Sequence, residues 1–209
     1  MPIDFERQLG AVQRSVSHTE HDGKPARAVT LSRTYPTSVE DLWDAISNPE
    51  RLPRWFAEVT GELEPGGRFQ ITGNASGQIT ACVPPQHLAT TWEIGEETSR
   101  VEVRLEQDGD INARLTLTHI APVTGFWKTY GPGAVGVGWE LGLMGLALHV
   151  ETPDAPRPDE AEFAADPDAR AFMRHSAEAW GDADIAGGED AETARASAKR
   201  TANFYTGGD

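Results

Sequence analysis

The sequence predicts an α+β fold in which an antiparallel sheet buries one face and a long apolar helix late in the chain helps to cover it. Three observations predict this. Between residues 64 and 119 apolar and polar residues alternate in closely spaced runs, separated by Gly, Pro and Asp-Gly turn signals; that is the pattern of antiparallel strands with one buried face. Ahead of them, Thr37-Ser38-Val39-Glu40 fits a capping box, and Val39, Leu42, Trp43 and Ile46 repeat at helical spacing. After them, Gly133 to Val150 carries two apolar stripes, Trp139/Leu143/Leu146/Val150 and Val137/Leu141/Met144/Leu148. A helix apolar on two sides has to be covered on both.

The elements follow in order. Met1 to Leu9 reads as a short helix ended by Gly10. Val12 and Val16 lead to an Asp22-Gly23 turn, in which both residues tolerate positive φ. Ala26 to Tyr35 is a strand with Val29, Leu31, Arg33 and Tyr35 on one face. The helix Thr37–Ser47, with Thr37 as N-cap, is followed by a second short helix that has Pro49 at its first position and is closed by Trp55 and Phe56. Phe69/Ile71, Ile79/Ala81/Val83, Leu88/Trp92/Ile94, Val101/Val103/Leu105 and Ile111/Ala113/Leu115/Leu117/His119 are the apolar rows of successive strands, which leaves Cys82 outward. Ala121 to Gly133 reads as a loop holding Phe126, Trp127 and Tyr130. Thr152 to Asp159 is a proline-rich linker. Beyond it, Asp166-Pro167 opens a helix with Phe172, Met173, Ser176 and Trp180 on one face, ended by Gly181, and a last helix spans about Asp190 to Tyr205. Its alanines permit close approach to another helix. The extension is expected to pack on the outer stripe of the long helix; a second copy in a homodimer is the other way to cover that stripe. The expected divisions are 1–25, 26–151 and 152–209.

A chain of 209 residues can bury about 70% of its unfolded surface and needs neither disulfides nor metal for stability. The single cysteine, Cys82, cannot form an internal disulfide. The net charge of −15 opposes contact with phosphates and anionic lipid, and no Lys/Arg cluster is evident to reverse it, so no nucleic-acid partner is expected. No apolar run reaches the roughly 20 residues of a membrane span, and the first residues lack a signal-peptide core; the expectation is a cytoplasmic protein without membrane insertion. His18-x-x-His21 supplies only two ligands, so no metal is expected, and no catalytic or cofactor fingerprint occurs.

Several motifs occur in a specific order: Arg33-Thr34-Tyr35-Pro36 before Leu42-Trp43; Asn48-Pro49-Glu50-Arg51-Leu52 before Trp55; Pro65-Gly66-Gly67-Arg68-Phe69; Gly77-Gln78-Ile79; Pro84-Pro85-Gln86-His87-Leu88 with Thr91-Trp92; Leu115-Thr116-Leu117-Thr118-His119; and Gly138-Trp139. In this order the chain resembles the SRPBCC/START-like superfamily, in the branch of the C-terminal domain of the activator of the heat-shock-protein-90 ATPase, over roughly Arg27 to Val150. The segment after Pro153 resembles an extension of some bacterial, especially actinobacterial, members. The resemblance implies a helix-grip fold, with a curved sheet wrapped around the long helix, and a hydrophobic cavity between them. It also admits a stress-response, co-chaperone-like role with a protein partner, or cavity chemistry of the cyclase or hydrolase type.

A cavity of that kind needs an apolar lining and a few polar groups that fix orientation. Trp55, Trp92, Trp139, Leu143, Phe126, Trp127 and Tyr130 are the candidate lining, the last three with the loop acting as a lid. Each of them could equally fill a core. Arg33 and His119 fall in otherwise apolar rows. Arg33 would meet either a ligand anion or an acid such as Asp41 or Glu62. His119 is either a ligand contact or a satisfied strand-end histidine. The reading favours binding of a hydrophobic small molecule, a lipid or aromatic metabolite, over catalysis; it assigns no catalytic residue and no cofactor.

Overall fold

The computed structural model describes residues 3–208, so the expected helix start at Met1 and Pro2 lies outside the described residues. The elements are α1 (Phe5–Gly10), β1 (Gln13–His21), β2 (Lys24–Tyr35), α2 (Val39–Ser47), β3 (Val59–Gly61), β4 (Arg68–Ile71), β5 (Ser76–Val83), β6 (His87–Ile94), β7 (Glu97–Asp108), β8 (Asn112–Pro122), α3 (Gly125–Tyr130), α4 (Gly133–Glu151), α5 (Glu160–Ala165), α6 (Pro167–Ala186) and α7 (Ala191–Thr206). The strands form one eight-stranded sheet in the order β1-β2-β8-β7-β6-β5-β4-β3, antiparallel in the pairings from β3 through β8. This is the α+β, helix-grip arrangement the sequence predicts. Asp22 and Gly23, with φ of 51° and 72°, make the β1–β2 turn, as the Asp-Gly pair requires.

The chain divides into two compact units, one of residues 3–31, 121–141 and 158–208, the other of residues 32–120 and 142–157. In the first, α4 contributes its N-terminal half, and α6 and α7 pack on each other. The buried face of α6 is Phe172, Met173, Ser176 and Trp180. Gly136 is where α4 meets α6: an added Cβ would lie 2.3 Å from Cε2 of Trp180, so only glycine lets the indole lie across the helix. Tyr205 Oη donates to the Ala134 carbonyl at 2.9 Å. Glu140 is buried inside α4 and is held bidentately by Arg14 of β1, at 2.6 and 2.7 Å. By length and apolarity α4 would suffice to cross a membrane; half of it is buried in the protein, and its ion-paired glutamate is what a core helix carries.

In the second unit Tyr35 is fully buried and donates its hydroxyl to the Leu143 carbonyl at 3.2 Å, tying the end of β2 to α4. Burial raises its phenol well above the ordinary value, against the opposing influence of Arg33. Phe69, Ile71 and Ile79 form an apolar cluster, with Phe56, Ala57, Val59, Cys82, Leu88 and Trp92 packed against it.

Local readings differ from the structure at five places. Ser38, not Thr37, caps α2, accepting from the Asp41 amide at 3.2 Å, while Thr37 donates to the Asp41 carboxylate at 2.7 Å; with two adjacent hydroxyls the capping role slips by one residue. The expected helix after Pro49 is a single 3-10 turn, Leu52–Arg54. Gly181 does not end α6 but lies within it, buried beside Ala198, whose Cβ would be 3.0 Å from an added Cβ; here a glycine permits helix contact rather than marking a stop. The register of β5 shifts between Ile79 and Ala81. A bulge of that kind moves later side chains to the other face, so Cys82 joins the apolar cluster and Val83 is exposed. The segment 121–133, read as a loop, contains the end of β8 and the helix α3, capped by Thr124.

Candidate functional site

The second unit brings Trp92, Ser99, His119 and Phe69 together on the inner side of the sheet. Strand register accounts for it. Trp92 of β6 pairs with Ser99 of β7, and His119 of β8 pairs with Val101, two residues along. Residues two apart share a face, so Ser99 and Val101 bring Trp92 and His119 to the same side. The rings of Trp92 and His119 meet edge-on, with centroids 6.4 Å apart, and Trp92 is also 6.4 Å from Phe69. Gly77, paired with Phe69 across β4–β5, leaves room for that ring: an added Cβ would sit 2.7 Å from it.

His119 is only 4% exposed. Its Nε2 lies 2.8 Å from the Ser99 hydroxyl, which itself donates to the Trp92 carbonyl at 3.1 Å. A hydroxyl has one proton to give, so Ser99 accepts from His119 and Nε2 carries a proton. Burial disfavours the charged ring, lowering the His119 pKa to about 4. The site therefore holds a neutral, oriented imidazole at ordinary pH. As a proton donor or acceptor it is suited to orienting a bound polar atom. It is poorly suited to being a base near neutrality.

The other candidates of this unit are positioned as follows. Trp55 is half-buried, stacks obliquely on Phe56 at 5.4 Å and donates Nε1 to the Ala45 carbonyl at 2.9 Å. Leu143 is buried on α4. Arg33 is buried in the β2 row with its guanidinium 5.4 Å from the Tyr35 ring, a cation–π distance. Asp41, one of the acids expected beside Arg33, is engaged by Thr37 and Arg51.

Phe126, Trp127, Tyr130 and Trp139 belong to the first unit. Trp127 is buried and Trp139 half-buried. Phe126 and Tyr130 are drawn into a different assembly, with Phe204 and Tyr205 of α7. Arg200 Nε donates to the Thr129 carbonyl at 2.5 Å and Thr201 Oγ1 to the Tyr130 carbonyl at 2.7 Å. α3 is held to α7 through its last carbonyls, the groups a short helix leaves unsatisfied.

Sequence reasoning missed Ser99, and it missed a polar cluster around Arg51. Arg51 reaches Asp41 and Asp44 at 2.8 and 2.9 Å and approaches His149 Nε2 at 3.3–3.4 Å. A guanidinium can only donate, so His149 accepts and is neutral. Burial, then Arg51 and Arg54, depress its pKa. Burial resists ionisation of Asp41, but hydrogen bonds from Thr37 and Arg51 hold its carboxyl below the usual range. Asp41 and Asp44 sit one turn apart on α2, and Arg51 follows the Asn-Pro-Glu turn; that spacing was the available signal. Among the described residues no group of three or more His, Cys, Asp or Glu could hold a metal ion.

Comparison with known proteins gives this geometry a lineage. Residues 36–151 match the family described as activator of Hsp90 ATPase homolog 1-like protein. The chain belongs to that family. Its similarity to curated members is local: it is 34% identical to the human activator of 90 kDa heat shock protein ATPase homolog 1 over 72 residues, which are 34% of this chain and 21% of that protein. The chain thus spans about a fifth of the length of the curated relatives it matches. Among solved structures, CalU16 from Micromonospora echinospora is 31% identical, with a TM-score of 0.70 over 83% of this chain and 98% of that one. A conserved protein of unknown function from Enterococcus faecalis, EF2215, shares the fold at 18% identity, with a TM-score of 0.61 over 86% and 95% of the two chains.

Proposed function

We propose that this activator-homologue domain binds a hydrophobic small molecule, a lipid or an aromatic metabolite, on the inner face of the sheet in its second unit, and that it does so in the cytoplasm. One observation carries the reading. Trp55, Phe56, Leu88 and Trp92, large apolar side chains grouped with or beside the Phe69 cluster, are only partly buried, which leaves apolar surface for a ligand to cover. Next to them stands a buried, oriented imidazole. Apolar walls with one or two fixed polar groups are the composition of a small-molecule site. Arg33 is the second polar candidate of this unit. Phe126, Trp127, Tyr130 and Trp139 stay outside the proposed site. Residues 26–151 remain the proposed extent of the binding module.

The test is a thermal-shift screen with fatty acids, sterols and polycyclic aromatics, followed by tryptophan fluorescence titration. A ligand at 100 times its Kd should stabilise the native state by about 2.7 kcal/mol, and Trp92→Ala should weaken that ligand at least about tenfold. No shift with any class would overturn the proposal.

The local identity to the human activator supports a second reading, regulation of a chaperone ATPase through protein contact. Stimulation of the ATPase of a purified bacterial homologue of that chaperone by the full chain would favour it, and an unchanged rate would count against it.

A further inference from the structure

The Arg51 cluster of the second unit lies outside the apolar walls of the proposed site, yet it holds the segment that carries two of them. Trp55 and Phe56 follow directly on the 3-10 turn Leu52–Arg54, and the Phe56 amide donates to the Leu52 carbonyl at 2.8 Å. Phe56 packs against the Phe69 cluster. Two contacts join this turn to α4. At Gly145 the helix is bare enough for the Trp55 carbonyl to rest on it: an added Cβ would lie 2.8 Å from that oxygen. One helical turn further on, His149, only 5% exposed, receives Arg51 at Nε2. The first contact is one of shape. The second depends on the imidazole's proton.

A guanidinium stays charged at any ordinary pH and offers donors only. It can lie against Nε2 while that nitrogen holds a lone pair. Protonation of the ring would set two cations 3.3–3.4 Å apart. The surroundings bias the ring further. Arg51 and Arg54 face it from the turn and, with burial, resist protonation, while Asp41 of α2 opposes them. Arg51 can also part from the ring without losing its counterions, because Asp41 and Asp44 hold it on α2 at 2.8 and 2.9 Å. On the reading that Trp55 and Phe56 wall a ligand site, we propose that His149 is a proton-operated latch on that site. Neutral, it holds the Arg51–Phe56 turn on α4. Protonated, it releases the turn with its aromatic pair and weakens ligand binding. The folded state binds this proton less readily than the open one, so the latch is complete above about 6.5 and is lost progressively as pH falls below that ordinary histidine value.

Hydrogen–deuterium exchange of the full chain, read by mass spectrometry over residues 52–57 at pH 7.5 and 5.0, tests the latch without a ligand. His149→Gln is the comparison, since its amide oxygen can accept from Arg51 and never titrates. If that variant melts early, His149→Leu serves, with its change between the two pH values as the readout. Comparing chains at one pH cancels the intrinsic pH dependence of exchange, together with the titration of His119 and Asp184, which both chains retain. Parent and His149→Gln should exchange alike at pH 7.5, and the parent at least about threefold faster at pH 5.0. Equal exchange at pH 5.0 would overturn the latch. The site is tested separately, by fluorescence titration with a ligand from the thermal-shift screen. Between pH 7.5 and 5.0 the parent should lose at least about threefold more affinity than His149→Gln. Equal losses would sever the latch from the site. Absence of any ligand would strike the small-molecule reading and leave the latch to be decided by exchange.

Discussion

His119 and Asp184 oppose one another in their dependence on pH. The folded-state pKa of His119 is depressed to about 4, from 6.5, by burial. Its contribution to stability is therefore complete above about 6.5 and is lost as pH falls toward about 4, a change of about 2–3 kcal/mol. Urea denaturation of His119→Asn across that range should show a correspondingly flatter profile than the parent. Asp184 on α6 is pushed the other way, up to about 6, by burial and then Glu189, with Arg27 opposing. Folding keeps its proton, so its contribution is complete below about 3.8 and is lost as pH rises through about 6. Asp184→Asn should then raise stability at pH 7.5, by about 1 kcal/mol, and give no gain at pH 3.5. At this scale the sequence was half legible. The inward row ending in His119 follows from a period of two. That its proton goes to Ser99 does not, because the partner comes from another strand by register.

Among elements, α4 bears the most consequence. Its pair of Glu140 with Arg14 is buried on the glutamate side, and breaking such a pair leaves a charge without its counterion. Glu140→Ala should cost about 3–5 kcal/mol in chemical denaturation, and the double variant Glu140→Leu/Arg14→Met should recover part of that loss. Gly136→Ala places a methyl on the Trp180 indole and should destabilise by about 1–3 kcal/mol, as overpacking does; Gly142→Ala, with open space at its Cβ, is the neutral or stabilising control. Helix α4 was legible from its two stripes, and the faces of α6 from Phe172, Met173, Ser176 and Trp180. What misled was punctuation. Gly131, Gly133 and Gly181 look like chain breaks, whereas contacts between helices use them for their lack of a side chain.

For the whole molecule, the helix-grip order of elements could be read from motif order, whereas the partition of aromatic residues could not. Trp92, Phe126 and Tyr130 are equally aromatic in the sequence, and only the fold sends the first to the sheet's inner face and the others to α7. Removing 158–208 would strip Tyr205 and Trp180 from α4, baring the Gly133–Leu141 stretch of an apolar helix. Such a truncation should self-associate in sedimentation velocity to a greater extent than the full chain.

The displaced register in β5 has one more consequence. It turns the chain's lone thiol inward, against Phe69, Ile71 and Ile79, where burial raises its pKa. Partial burial and the raised pKa should slow alkylation of the native protein by iodoacetamide relative to the unfolded chain. A molecule seated beside Trp92, which packs on the same cluster, should slow it further.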